Sequence, residues 1–121
     1  MKIYLLLSAF YGLLSVILGA FGAHALKDRL SAAQLVSWET GVRYQMFHAL
    51  AMILFVVLSD RGLNVKPSLI AFSIGTVLFS GSIYFLSLGI GPKAFWGPIT
   101  PLGGLSLLLG WGWLLGEVIR K

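Results

Sequence analysis

No cysteine occurs among the 121 residues, so the chain has no disulfide framework, no thiolate metal site, no covalent haem attachment and no thiol nucleophile. Acids are almost as scarce, four against nine Lys and Arg. Asp60 and Glu117 fall at the membrane face opposite the histidines, which leaves no Ser, His and acid arrangement for nucleophilic catalysis. Charge of either sign makes up only 11% of the chain while apolar residues make up 58%, well outside the balance of a soluble domain. A water-soluble chain this short could not hide that much apolar surface. The net charge of +5 does not point to nucleic acid, because the basic residues sit singly or in pairs beside apolar ends and form no patch interleaved with aromatics. The glycines form no phosphate loop and no dinucleotide fingerprint in a strand-to-helix setting. An enzyme is not expected.

What the chain does have is long apolar runs. From Ile3 to Leu26 there is no Asp, Glu, Lys or Arg, a stretch of roughly 36 Å as a helix, enough to cross a ~30 Å hydrocarbon core. Lys2, the apolar run and Ala23-His24-Ala25 also imitate a secretory signal, but the run exceeds the usual h-region. Ser8, Gly12, Ser15, Gly19 and Gly22 form instead a heptad-like seam of small residues for close helix packing. The spacing predicts a first transmembrane helix over 3–25.

Ser31 followed by Gln34 fits a capping box that starts the next helix. Run straight to Ser59 it would be about 42 Å long, more than a bilayer core requires. Gly41, the weakest helix former there, is the expected bend. The prediction is an interfacial helix over 32–40 with Trp38 as aromatic anchor, leading into a second transmembrane helix over 42–59. Pro67 suits the first turn of a third, over 67–90. Its small residues recur in two rows, Ser68, Gly75, Ser82, Gly89 and Ser73, Ser80, Ser87. GIGPKAFWGPITP reads as a turn, Thr100 as a cap and Pro101 as the first residue of a fourth helix over 101–119. On that helix Gly103 and Gly110 offer small surfaces, and Gly112 and Gly116 have GxxxG spacing. Glu117, Arg120 and Lys121 are expected to end it in water. The fold class is therefore all-α, an integral membrane four-helix bundle in a single domain. Both termini fall on one side, and the basic residues favour a cytoplasmic location for it by the positive-inside rule.

Taken in order, GAFGAHALK at 19–27, Trp38, YQMFHALA at 44–51, FSGSIY at 79–84, TPLGG at 100–104 and GW at 110–111 resemble the domain of unknown function 423 family. These are the YgdD/YwdK-like small inner-membrane proteins, similar also to the eukaryotic transmembrane protein 256. The resemblance covers essentially the whole chain. It implies a four-helix protein of the bacterial cytoplasmic membrane and carries no chemistry. His24, Tyr44, Gln45, His48, Pro101, Gly103 and Gly104 stand where the family's motifs stand.

Ionisable groups inside a bilayer are costly and point to a site with a partner. His24 and His48 fall toward the same membrane face in an antiparallel hairpin. They are candidates for a proton relay, an ion or ligand site, or haem ligation. The structural alternative is a neutral imidazole bonded to a serine, a tyrosine or a carbonyl across a helix interface. With no carboxylate on that face they make an incomplete zinc site, and neither a metal nor another cofactor is expected. At about 100° per residue, Gly41, Gln45, His48 and Met52 share one helix face with Tyr44 flanking it. Glu39 and Arg43 point away from His48 and can pair with each other in the favourable i, i+4 order. The four tryptophans, Trp38, Trp96, Trp111 and Trp113, read as belt and packing groups. The expected function is binding or assembly support in the membrane, with lipids, a second copy or another membrane protein as partner. An oligomeric proton, ion or solute transporter and a haem-binding redox subunit are the alternatives.

Overall fold

The computed structural model describes residues 1–121, which form helices and turns alone. Four helices are long and apolar enough to cross a membrane: α1 (Lys2–Ala23), α2 (Ala32–Asp60), α3 (Lys66–Leu88) and α4 (Lys93–Arg120). Backbone polar groups have no water to bond in a hydrocarbon core, so a chain this apolar satisfies them within helices. The outer surface agrees with that solvent: Leu108 is 68% exposed and Ile119 75%, and both would be unfavourable in water.

α1 packs along α2, and α3 packs on both α2 and α4. Neither α1 nor α2 pairs its backbone with α4, so α3 lies between α2 and α4 as a floor. The core sits where α2, α3 and α4 meet, around Met52, Phe55, Leu69, Phe72 and Leu107. The small residues of α1 face α2. Ser8, Ser15 and Gly22 are buried, and a Cβ at Gly12 would touch Ala49 and one at Gly19 would touch Val42.

Three boundaries differ from those predicted. The first concerns 32–40 and 42–59, which are not separate elements: α2 is one helix of 29 residues, about 43 Å long. Its start is the expected capping box, in which Ser31 N donates to Gln34 Oε1 at 2.8 Å and Gln34 N to Ser31 Oγ at 3.2 Å. Gly41 does not break it. A Cβ there would come within 3.0 Å of Tyr84 and 3.2 Å of Ile83, and the Ser80 hydroxyl donates to its carbonyl at 2.7 Å. The glycine lets α3 approach, and that contact holds the helix through it.

The second concerns α4, which begins at Lys93 and not at 101, and runs through Pro98 and Pro101. Thr100 is no cap: its hydroxyl bonds that of Ser82 on α3. Neighbouring helices and hydroxyls make proline tolerable inside a membrane helix. Here Trp96 stacks on Phe85 with ring centroids 4.4 Å apart, which fastens the first turns of α4 to α3. The third concerns α3, which ends at Leu88, followed by Gly89 in the left-handed conformation at φ +69°, and which carries an unpredicted π-helical segment at Val77–Gly81.

Two side chains are also placed otherwise than expected. Trp38 is not an interfacial anchor. It is 3% exposed, its indole fills the space left by Gly22, and its N–H donates to the Leu18 carbonyl at 2.8 Å. Glu117 is buried where water was expected. Its carboxylate accepts the Asn64 amide at 2.9 Å and pairs with Arg120, tying the end of α4 to the α2–α3 connection.

Candidate functional site

His48 lies on the face of α2 that looks toward α4, and both of its ring nitrogens are engaged. Trp111 Nε1 donates to His48 Nε2 at 3.0 Å. An indole N–H can only donate, so Nε2 is the acceptor and Nδ1 carries the proton. Nδ1 then donates to the Tyr44 carbonyl one turn earlier, at 2.8 Å. The imidazole is neutral and fully satisfied, held edge-on to Phe72 at 4.9 Å between ring centroids and to Trp111 at 6.0 Å. Neither nitrogen is free to ligate iron or relay a proton unless one of these bonds opens.

The small residues of α3 and α4 create this arrangement. A Cβ at Gly110 would sit 2.4 Å from the Phe72 ring. Its absence lets the Phe72 ring press against α4, where Phe55, Phe72 and Trp111 form a cluster with centroid separations of 5.1 to 5.5 Å. Gly103 is tighter still, since a Cβ there would lie 2.3 Å from the Phe79 amide nitrogen. The π segment thus presents its backbone directly to α4, and the wider turn swings Phe79 against Tyr44, 4.8 Å between centroids. Gly75 receives Leu107, and Ser82 bonds Thr100. Gly112 and Gly116 differ: a Cβ at either would meet nothing within 4 Å, so this GxxxG pair packs on no other helix of the chain.

Beside the imidazole is an open cleft of about 480 Å³, walled by Tyr44, Phe79, Pro101, Gly104, Leu105, Leu107, Leu108 and Trp111. Apart from Tyr44 and the fully hydrogen-bonded imidazole, these walls come from apolar residues, a glycine and Trp111. Such a lining suits an apolar guest.

The remaining predicted site residues do not join it. Gln45 turns to the other side of α2, donating to the Tyr11 carbonyl at 2.8 Å and accepting from the Tyr84 hydroxyl at 2.7 Å. It lines a separate cavity of about 180 Å³ with Tyr11, Thr76 and Tyr84. His24 is exposed just past the end of α1, in a shallow hollow formed by its own helix. Gly22 touches Trp38, so His48 lies ten residues further along α2, roughly 15 Å deeper. The two histidines do not meet. Glu39 and Arg43 are exposed and form a pair at 3.9 Å, away from the cleft. Sequence reasoning missed Trp111, Phe72 and Phe79 as neighbours of His48. The only cue was Gly110 beside Trp111, which marks a close approach without identifying what approaches.

Residues 18–104 match the family model described as protein of unknown function (DUF423). The chain is 41% identical over 115 residues to UPF0382 membrane protein YwdK of Bacillus subtilis, covering 92% of this chain and 91% of the relative. It is 39% identical over 121 residues to UPF0382 inner membrane protein YgdD of Escherichia coli K12, covering 98% and 91%. A third relative, UPF0382 membrane protein SH2409 of Staphylococcus haemolyticus, is 41% identical over 112 residues, covering 92% and 90%. No solved structure matches the chain.

Proposed function

Since the chain belongs to the DUF423 family of membrane proteins, we propose that it is a non-catalytic binding protein whose cleft beside His48 takes up the apolar part of a membrane-soluble guest. One observation carries this reading. The cleft is walled mainly by apolar and aromatic side chains of three helices, yet its imidazole spends both hydrogen-bonding positions inside the protein. A site made for proton or ion movement needs a group that can change partners. A binding cleft needs walls that stay in place, and the Trp111–His48–Tyr44 chain supplies that rigidity. The bacterial cytoplasmic membrane is the proposed location, supported by the name of the enterobacterial relative, with both termini on the cytoplasmic side. Gly112 and Gly116, unopposed within the chain, are available to a second copy or another membrane protein in assembly support.

Native mass spectrometry of protein purified in mild detergent tests the proposal. The expected spectrum shows monomer or oligomer carrying a lipid-sized adduct, and Leu108→Trp, which fills the cleft, removes that adduct while the fold is kept. Bare wild-type protein without lipid or partner counts against it. Soret absorbance in the purified protein would favour the haem reading instead. Proton or ion leak into liposomes that falls with His48→Ala would favour transport.

A further inference from the structure

The His48 cleft adjoins a second cavity at Pro101. This second cavity, also about 480 Å³, lies between the first turns of α2 and α4 and the last turns of α3. Each helix lines both with one continuous face: Ser37 then Tyr44 and His48 on α2, Ile83 then Phe79 on α3, Gly97 then Pro101 and Leu108 on α4. From Lys93 to Leu108 α4 advances roughly 22 Å, more than one leaflet's share of a ~30 Å core.

The two cavities differ in chemistry. The outer one is lined by Lys93, Ser37, Ser87, Thr100 and Gln34, with no acidic residue. Neither ion pair of the chain involves Lys93. Ser87 is 3% exposed and its hydroxyl has no hydrogen-bond partner in the protein, a costly arrangement for a buried polar group. Ala33 and Gln34 belong to the first turn of α2 and Lys93 begins α4, so the positive ends of two helix dipoles converge on the same opening. A cation, hydroxyl donors and helix N-termini without an opposing acid suit an oxyanion, and the apolar cleft beyond suits a hydrocarbon chain.

We propose, resting on the binding role above, that the guest is an anionic phospholipid. Its phosphodiester head sits at Lys93 and Ser87, and one acyl chain runs past Pro101 into the cleft beside His48.

The test is native mass spectrometry of the full chain in mild detergent, titrated separately with phosphatidylglycerol, with phosphatidylcholine of the same acyl chains, and with inorganic phosphate. Wild-type protein is expected to retain phosphatidylglycerol about fivefold better than phosphatidylcholine, the worth of one basic side chain near an anionic head. Lys93→Gln should bring the two lipids level, Lys93→Arg should restore the preference, and Ser87→Ala should weaken phosphatidylglycerol retention without changing phosphatidylcholine. A preference that survives Lys93→Gln overturns the head-group assignment and leaves the apolar cleft standing. Loss of both lipids from wild-type protein overturns the cleft as well, as does retention of inorganic phosphate alone.

Discussion

At the residue scale, His48 shows how a polar side chain is made permanent inside hydrocarbon. Its two nitrogens have one donor and one acceptor role to fill, and Trp111 and the Tyr44 carbonyl fill them. Trp111→Phe keeps an aromatic ring in the Phe55 and Phe72 cluster but removes the only donor to Nε2. The expected cost is about 1–3 kcal/mol, the desolvation of a buried acceptor left without a partner, read as a lowered unfolding midpoint in detergent. His48→Leu combined with Trp111→Phe should cost less than the sum of the two single changes, because paired groups are coupled. Additive costs would mean that the bond carries no coupling. The sequence marked His48 as costly in a membrane, but it did not identify Trp111, 63 positions away, because that pairing exists only once α2 and α4 stand on the same α3 floor.

At the element scale, glycines of similar sequence context do different work. Gly103 and Gly116 are both small residues on α4, yet only Gly103 faces a backbone, that of the π segment. Gly103→Ala should therefore destabilise the protein strongly, by several kcal/mol if the π segment cannot shift, since overpacking typically costs ~1–3 kcal/mol and here the obstacle is main chain. Gly116→Ala should be neutral or stabilising by up to about 1 kcal/mol, as is usual for glycine replaced within an unobstructed helix. Thermal unfolding of the two variants side by side checks this. A strong loss with Gly116→Ala would show that this face is covered by another molecule. Composition and spacing marked both glycines as packing residues, but helix phase alone does not say which face meets a neighbour. The same limit explains Gly41. Propensity correctly ranks it as the weakest point of α2, and the Ser80 bond and the Tyr84 contact override propensity there. By the same propensity rules the stretch holding Pro98 reads as a turn and Pro101 as a helix start, and the Trp96–Phe85 and Thr100–Ser82 contacts carry α4 through both.

At the scale of the whole molecule, four membrane-length helices lead to the prediction that Met1 and Lys121 lie on the same side. Reporter fusions at the two ends should give the same compartment signal, and opposite signals would require an odd number of crossings. The arrangement is also open: α4 brings its backbone close to neither α1 nor α2, so a cleft remains beside α3 that a closed bundle would have filled. The resemblance in the sequence led to the right family and to a four-helix membrane protein. It offered no groove, because a groove is the space between elements and has no sequence of its own.

The sequence by itself determined the solvent, the number of membrane-length helices, the capping box at Ser31 and the segregation of Glu39 and Arg43 from His48. Each follows from local terms, namely hydropathy over a window, hydrogen bonds three residues apart and the 3.6-residue turn. Only the tertiary structure decided that His24 and His48 stay apart, that Trp38 and Glu117 are buried, that α2 and α4 continue through their glycine and prolines, and that α3 contains a π turn. These depend on contacts between helices distant in sequence, whose energies exceed the ~1–3 kcal/mol preferences that local sequence expresses. Of the candidates His24, Tyr44, Gln45 and His48, only Tyr44 and His48 line the cleft, and its other walls come from α3 and α4.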